Sequence, residues 1–230
     1  MLDARVVKKR REFVVDVALQ LGAGETIALF GASGAGKSTV LACIAGIEQP
    51  DAGHIRADGR KLFPTPPALH ERNIGYLTQR SLLFPHLSVE QNILFGVSRD
   101  KRPDSWLAEI KDRFGLAAIW RAPATSISGG QAQRVALARM LARRQPLVLL
   151  DEPFAGLDRI VTRDLIGALD AWQRAHRVAT IIVDHQENVL RKLCDRVYVL
   201  ERGRIIQEGS WYDLETKPAS RSLAQLLTPL

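Results

Sequence analysis

The sequence predicts an α/β fold with a parallel-sheet core, an antiparallel β subdomain and an inserted helical subdomain. Three observations point there. A Gly-rich segment at 31–39 lies between an apolar β-type run and a helix-like stretch. From residue 147 onward, short apolar runs alternate with helical stretches, the pattern of βαβ units on a parallel sheet. Between about 80 and 126 the strand-like texture gives way to helical periodicity.

Taken in order, residues 4–20 read as two β segments, with Phe13, Val15, Val17 and Leu19 alternating so that one face is buried. Gly22-Ala23-Gly24 turns into a strand at 26–30, and a helix is expected over 39–47. A short strand at 54–57 precedes Asp58-Gly59, a strong hairpin turn signal. Residues 74–79 read as another strand, ending in Gln79. Ser88 with Gln91 three residues on forms a capping box for a helix to about residue 95. Pro103 and Asp104 open a second helix with Trp106, Leu107, Ile110 and Phe114 on its apolar face, and Gly115 stops it. A helix from 127 to about 144 leads to the run Leu147-Val148-Leu149-Leu150, apolar enough to be buried on both faces. Helix 160–175, strand 178–183, helix 186–193 and strand 196–200 follow, then a short strand between Gly203 and Gly209 and a helical tail. We therefore expect one domain over 1–230, its core formed by 1–79 and 127–230 and its helical lobe by 80–126.

Composition bounds the function classes. With 230 residues, 46% hydrophobic and 25% charged, the chain has the balance of a globular protein with a substantial core. No apolar run approaches the ~20 residues that span a bilayer, and the N-terminus has no signal-peptide core, so a cytoplasmic location is expected. Cys43 and Cys194 have no metal-binding spacing and read as buried thiols. A net charge of +7 is compatible with nucleic acid, an anionic membrane surface or anionic small ligands. The densest basic run, Lys8-Lys9-Arg10-Arg11, reads as a charged hairpin edge.

The chemistry is concentrated in two places. Gly31-Ala32-Ser33-Gly34-Ala35-Gly36-Lys37-Ser38-Thr39 fits the phosphate-binding loop, four free positions between Gly31 and Gly36 and then Lys and Ser. Its glycines let backbone N–H groups wrap a phosphate chain, and the helix that follows adds partial positive charge. Lys37 is expected to reach the β- and γ-phosphates and Ser38 to hold Mg²⁺. The apolar run ending in Asp151-Glu152 supplies the other half: Asp151 to hold Mg²⁺, and Glu152 to accept a proton from attacking water.

These residues and their order resemble the ATPase subunit of an ABC (ATP-binding cassette) transporter, over nearly all of the chain. The family's elements stand in sequence: Walker A at 31–39, a Q-loop glutamine at Gln79, the signature Ser128-Gly129-Gly130-Gln131, Walker B at 147–151 followed by Glu152, the D-loop Asp158 and the H-loop His185. The resemblance implies a P-loop NTPase that uses ATP and Mg²⁺. It implies that Gln79 touches Mg²⁺ or the attacking water, that the signature binds the γ-phosphate held by a second subunit, that Asp158 contacts that subunit, and that His185 donates to the γ-phosphate. Ser128 and Asp158 would also serve as ordinary helix N-caps, and both roles stand. The partners implied are a second copy in a homodimer, transmembrane permease subunits and a solute-binding protein, with the chain peripheral on the inner face of the membrane. No nucleic-acid partner is expected.

Three residues depart from the family pattern. Ile127 stands where Leu is usual, Asp184 precedes His185 where Ser or Thr is usual, and Lys8 falls near the position of the aromatic that stacks on adenine. Phe13 is the nearest aromatic, but its alternation with Val15 and Val17 favours a core role, leaving Arg10 or Arg11 to stack instead. The stretch 83–93, from Leu83-Phe84-Pro85 to Ile93, resembles importers of molybdate and related oxyanions, thiamine and polyamines, with Phe84 and Leu87 lining a groove for a membrane subunit's helix. Many such importers carry a C-terminal β domain; with the sequence ending at Leu230, none is expected. The alternative class is a soluble ABC-type ATPase acting on nucleic acid or ribosomes.

Overall fold

The computed structural model describes residues 1–79, 82–97 and 104–227. In chain order the elements are β1 (Leu2–Lys9), β2 (Val14–Leu21), β3 (Thr26–Phe30), α1 (Lys37–Ala45), β4 (Ala52–Ala57), β5 (Arg60–Phe63), β6 (Ile74–Leu77), α2 (Val89–Leu94), α3 (Asp104–Arg113), α4 (Gly129–Ala142), β7 (Leu147–Asp151), α5 (Arg159–His176), β8 (Ala179–Val183), α6 (Glu187–Leu193), β9 (Arg196–Glu201), β10 (Arg204–Gly209), α7 (Trp211–Thr216) and α8 (Arg221–Leu226). Pro103, expected to help open α3, lies outside the described residues.

Among the described residues the strands form one sheet in the order β5-β4-β1-β2-β10-β9-β3-β8-β7-β6. The block β9-β3-β8-β7-β6 is parallel, and the β2-β1-β4-β5 arm is antiparallel. Strand alternation explains why the parallel block reads as continuous apolar sequence. In β3, Ile27 and Leu29 face one buried cluster while Ala28 and Phe30 face the other; β7 divides the same way, Leu147 and Leu149 against Val148 and Leu150. The first face takes α1 and the antiparallel arm. The opposite face takes α4, α5 and α6, and its cluster continues into Trp106, Ile110 and Phe114 of α3. Trp106 and Trp172 of α5 are both fully buried, ring centroids 6.4 Å apart.

Turn chemistry agrees with the local signals. Asp58 and Gly59 both have positive φ, as a tight hairpin turn requires. Ser88 and Ser128 each cap their helix through a complete capping box, with Gln91 and Gln131 as the reciprocal partners. Helix α1 begins at Lys37, two residues before the sequence suggests, because the loop closes directly into it. Both cysteines are buried, free thiols.

The parallel strands set the site. Their register brings the carboxyl ends of β3, β8 and β7 to one edge of the sheet, where open α/β sheets bind ligands. The chain leaves those ends into the Gly-rich loop, into Asp184-His185 and into Asp151-Glu152 respectively. β6, beside β7, ends at Leu77 and delivers Gln79 to the same edge.

Candidate nucleotide site

The Gly-rich loop is held against the sheet by a contact only glycine permits. Gly31 has φ 145°, and a Cβ there would lie 2.1 Å from the Leu200 carbonyl oxygen of β9. The loop then feeds α1 through Gly36, whose N-cap position offers no side-chain cap. Helices α2, α4, α5, α7 and α8 all have Ser or Asp caps bonded to their first-turn N–H groups. The donors at the start of α1 are thus left for an external anion, which the helix dipole also favours.

Lys37 is buried, and its Nζ donates to the carbonyls of Gly31 at 2.7 Å and Ala32 at 2.8 Å. Two of its three N–H donors are thereby committed to shaping the loop, and the third remains for a ligand. Burial holds the pKa of the ammonium below its ordinary value, while Glu152 and Asp151 act in the opposite direction. Ser38 Oγ donates to Asp151 Oδ1 at 3.2 Å, so residues from α1 and β7 meet at the loop mouth. Tyr76 of β6 donates its hydroxyl to Asp151 Oδ2 at 3.4 Å. Burial lifts the Asp151 carboxyl above the usual range against these two hydrogen bonds, and it pushes the Tyr76 phenol to about 12.

Glu152 stands apart from Asp151 because the chain turns there. Its φ of 51° is left-handed, uncommon outside glycine. Its carboxylate gathers two of the other predicted catalytic residues: His185 Nε2 lies 2.6 Å from Oε1, and Gln79 Nε2 donates to Oε2 at 2.8 Å. Gln79, Glu152 and His185 come from three adjacent strand ends and share one carboxylate. Asp184, by contrast, accepts the Gln186 N–H on its Oδ1 at 2.8 Å.

A cleft of about 360 Å³ joins these groups, lined by Arg10, Arg11, Phe13, Ser33, Gly34, Gly36, Lys37, Ser38, Thr39, Glu152 and His185. A second cleft, of about 600 Å³, lies against Gly31, Ala32, Ser33, Gly34 and Ala35 and is walled by Leu200, Ile206 and Leu223. Phe13 lines both; its ring is half-buried, packs against the core cluster on the α1 face as its alternation suggests, and also lies over Gly36 and Gly203. Arg10, a stacking candidate by sequence, also lines the first cleft. Its guanidinium is tied to Thr39 Oγ1 at 2.8 Å and to Glu48 at 2.6 Å. Lys8 likewise pairs with Asp51 at 3.0 Å, so two of the four charges of the basic run are paired in place.

The signature residues lie elsewhere. None of Ser128, Gly129, Gly130 and Gln131 lines either cleft beside the loop; Ser128, Gly129 and the N-terminus of α4 are exposed to solvent. Asp158 is exposed too, capping α5 through the Val161 N–H at 2.8 Å. Gly130 has space for a Cβ only against Leu157 and Val161 of the Asp158 turn, so these two segments adjoin. Sequence reasoning missed Tyr76. Its signal was the strand alternation that puts it with Ile74 on the α1 face.

The two halves together, an anion-receptive loop opening α1 and a carboxylate pair at the end of β7, define a P-loop NTPase fold. The ABC transporter family model matches residues 14–155. The chain belongs to that family. It is 40% identical over 220 residues to the putrescine transport ATP-binding protein PotG of Escherichia coli (strain K12), covering 93% of this chain and 57% of that protein. It is 36% identical to the molybdate/tungstate import ATP-binding protein WtpC of Pyrococcus horikoshii, covering 96% of this chain and 65% of that one. The chain therefore spans roughly three fifths of the length of such relatives. Among solved structures it resembles a dimeric ATP-binding cassette in a post-hydrolysis state bound to ADP and Pi, with TM-score 0.78, 28% identity, and coverage of 91% of this chain and 98% of that one.

Proposed function

We propose that this chain is the ATP-hydrolysing subunit of an importer for a small solute such as an oxyanion, thiamine or a polyamine. The observation that carries the reading is the shared carboxylate of Glu152, held by Gln79 and His185 beside Lys37 and the open start of α1. Lys37 and the N–H groups of the loop bind and orient the phosphate chain. Glu152 takes the proton of the attacking water, and His185 and Gln79 fix its carboxylate. The paired oxygens of Ser38 and Asp151 are hard donors of the kind Mg²⁺ selects, with Gln79 as a further candidate, and the ion would neutralise charge on the phosphates. Phe13 is the aromatic best placed to stack on adenine.

The exposed signature at the N-terminus of α4 supports a second copy facing the first, each completing the other's site with Ser128, Gly129, Gly130 and Gln131 and contacting it through Asp158. A separate groove of about 400 Å³, lined by Leu82, Phe84, Phe95, Arg139 and Met140, suits a helix of a permease subunit. Leu82 and Phe95 are exposed there, the Phe84 and Phe95 rings lie 4.3 Å apart, and buried Asn92 pins the Phe84 backbone through both its N–H and its C=O. Leu87 does not line this groove. A nucleic-acid role is disfavoured by the local neutralisation of Lys8 and Arg10.

The test is phosphate release from MgATP by the purified chain and its Lys37→Ala variant. Release by the parent, with Lys37→Ala losing both release and ATP binding, is the expected result. A parent that binds no ATP, or a Lys37→Ala variant of unchanged affinity, refutes the reading.

A further inference from the structure

We propose that Asp184 is a positioning residue for ATP hydrolysis: its carboxylate ties the 184–186 turn, and that turn holds the His185 ring on Glu152. The inference rests on the roles of Glu152 and His185 proposed above.

The geometry points to this from several sides. β8 lies between β3 and β7, so the residue that follows it emerges beside both the Gly-rich loop and Glu152. Asp184 is 4% exposed. Its Oδ1 accepts the Gln186 N–H at 2.8 Å, and its Oδ2 is buried with no partner among the described residues. Burying a carboxyl with one oxygen unsatisfied is unfavourable. Desolvation accordingly raises its pKa, with Glu152 adding to the rise, while the Gln186 and His185 N–H groups act in the opposite direction. A group kept at such a cost must return something, and the hydrogen bond it makes spans His185.

That span matters because little else fixes the ring. The His185 side chain is 50% exposed, so packing alone does not set its direction, and its ring approaches Glu152 at 2.6 Å. The N-cap of α6, Gln186, contributes no side-chain cap, so the start of that helix is held by the Asp184 carboxylate instead. Releasing the turn therefore frees the His185 backbone while the phosphate loop, on a different strand, stays as it is. A displacement of about 1 Å in a catalytic constellation is enough to slow chemistry by up to about a hundred-fold.

The experiment compares Asp184→Ala, Asp184→Asn and Glu152→Gln in the full chain by steady-state ATP hydrolysis, with equilibrium binding of a non-hydrolysable ATP analogue alongside. Asp184→Ala should lose about ten-fold or more in kcat while KM and analogue binding stay within about two-fold. Asp184→Asn keeps the acceptor oxygen and should restore most of the rate. The inference is overturned by Asp184→Ala turning over like the parent, by a loss that appears equally in binding, or by Asp184→Asn being as slow as Asp184→Ala. If Glu152→Gln turns over like the parent, the underlying roles fail; if it is inactive beside a fully active Asp184→Ala, only this inference does.

Discussion

Phe13→Ala should weaken nucleotide binding far more than it weakens the fold. The ring lines the cleft that holds Lys37, Ser38 and Thr39, and it is only half-buried. A base stacked on an aromatic ring contributes about 1–3 kcal/mol, so its loss raises the Kd for ATP by about 5- to 150-fold, at about 1.4 kcal/mol per ten-fold. Full truncation of a buried Phe costs about 3–5 kcal/mol; half-burial brings the expectation here to about 2 kcal/mol. For a chain of 230 residues that corresponds to a fall in Tm of about 4–8 °C. Calorimetric titration with ATP and with inorganic triphosphate separates the effects, since triphosphate has no base to stack. The expected pattern is weakened ATP binding, unchanged triphosphate binding and a folded protein. Equal weakening for both ligands would show that Phe13 shapes the loop through Gly36 and does not face the base, and would refute the stacking argument. Phe13→Trp should bind ATP at least as well as the parent.

Ser128→Arg should leave ATP binding by one subunit near parental yet block turnover, because the exposed start of α4 would no longer accept a phosphate from a second copy; normal turnover would reduce Ser128 to a helix cap. Phe84→Ser should lower Tm by only a few degrees, since the ring faces the groove beside Phe95 and Arg139, and should abolish co-purification with the membrane subunits. A large drop in Tm would make Phe84 a core residue. Asp184→Asn should change the pH profile of stability. Burial raises the native carboxyl above its ordinary value, so its contribution is fully present below that value and is lost as pH rises through the native one. The Tm of Asp184→Asn relative to the parent should therefore become more favourable as pH rises above the ordinary carboxylate range; a pH-independent difference contradicts the shift.

What could be read in the sequence was what neighbouring residues determine among themselves. The phosphate loop, the capping boxes at Ser88 and Ser128, the Asp58-Gly59 turn and the doubly buried β7 are local patterns, and the structure contains each of them. Phe13 packs against the core as its alternation suggests, but its second, cleft-facing side was not legible, because period-two alternation says nothing outside a strand. β2 starts at Val14, and Phe13 sits in the hairpin loop, where its carbonyl accepts the Arg10 N–H at 2.9 Å. The meeting of Gln79, Glu152 and His185 depends on β6, β7 and β8 being neighbours, an order no local signal encodes. Tyr76 on Asp151 and Arg10 on Thr39 are likewise products of tertiary packing.

The central claim is that Glu152 activates water for attack on ATP. Single-turnover hydrolysis by Glu152→Gln, with molecular mass followed by light scattering in MgATP, tests it most directly. The change keeps the shape of the side chain and its place between Gln79 and His185 while removing the base. The predicted result is retained ATP binding, phosphate release slowed by about a hundred-fold or more, and accumulation of an ATP-bound dimer. Phosphate release at the parental rate would contradict the account.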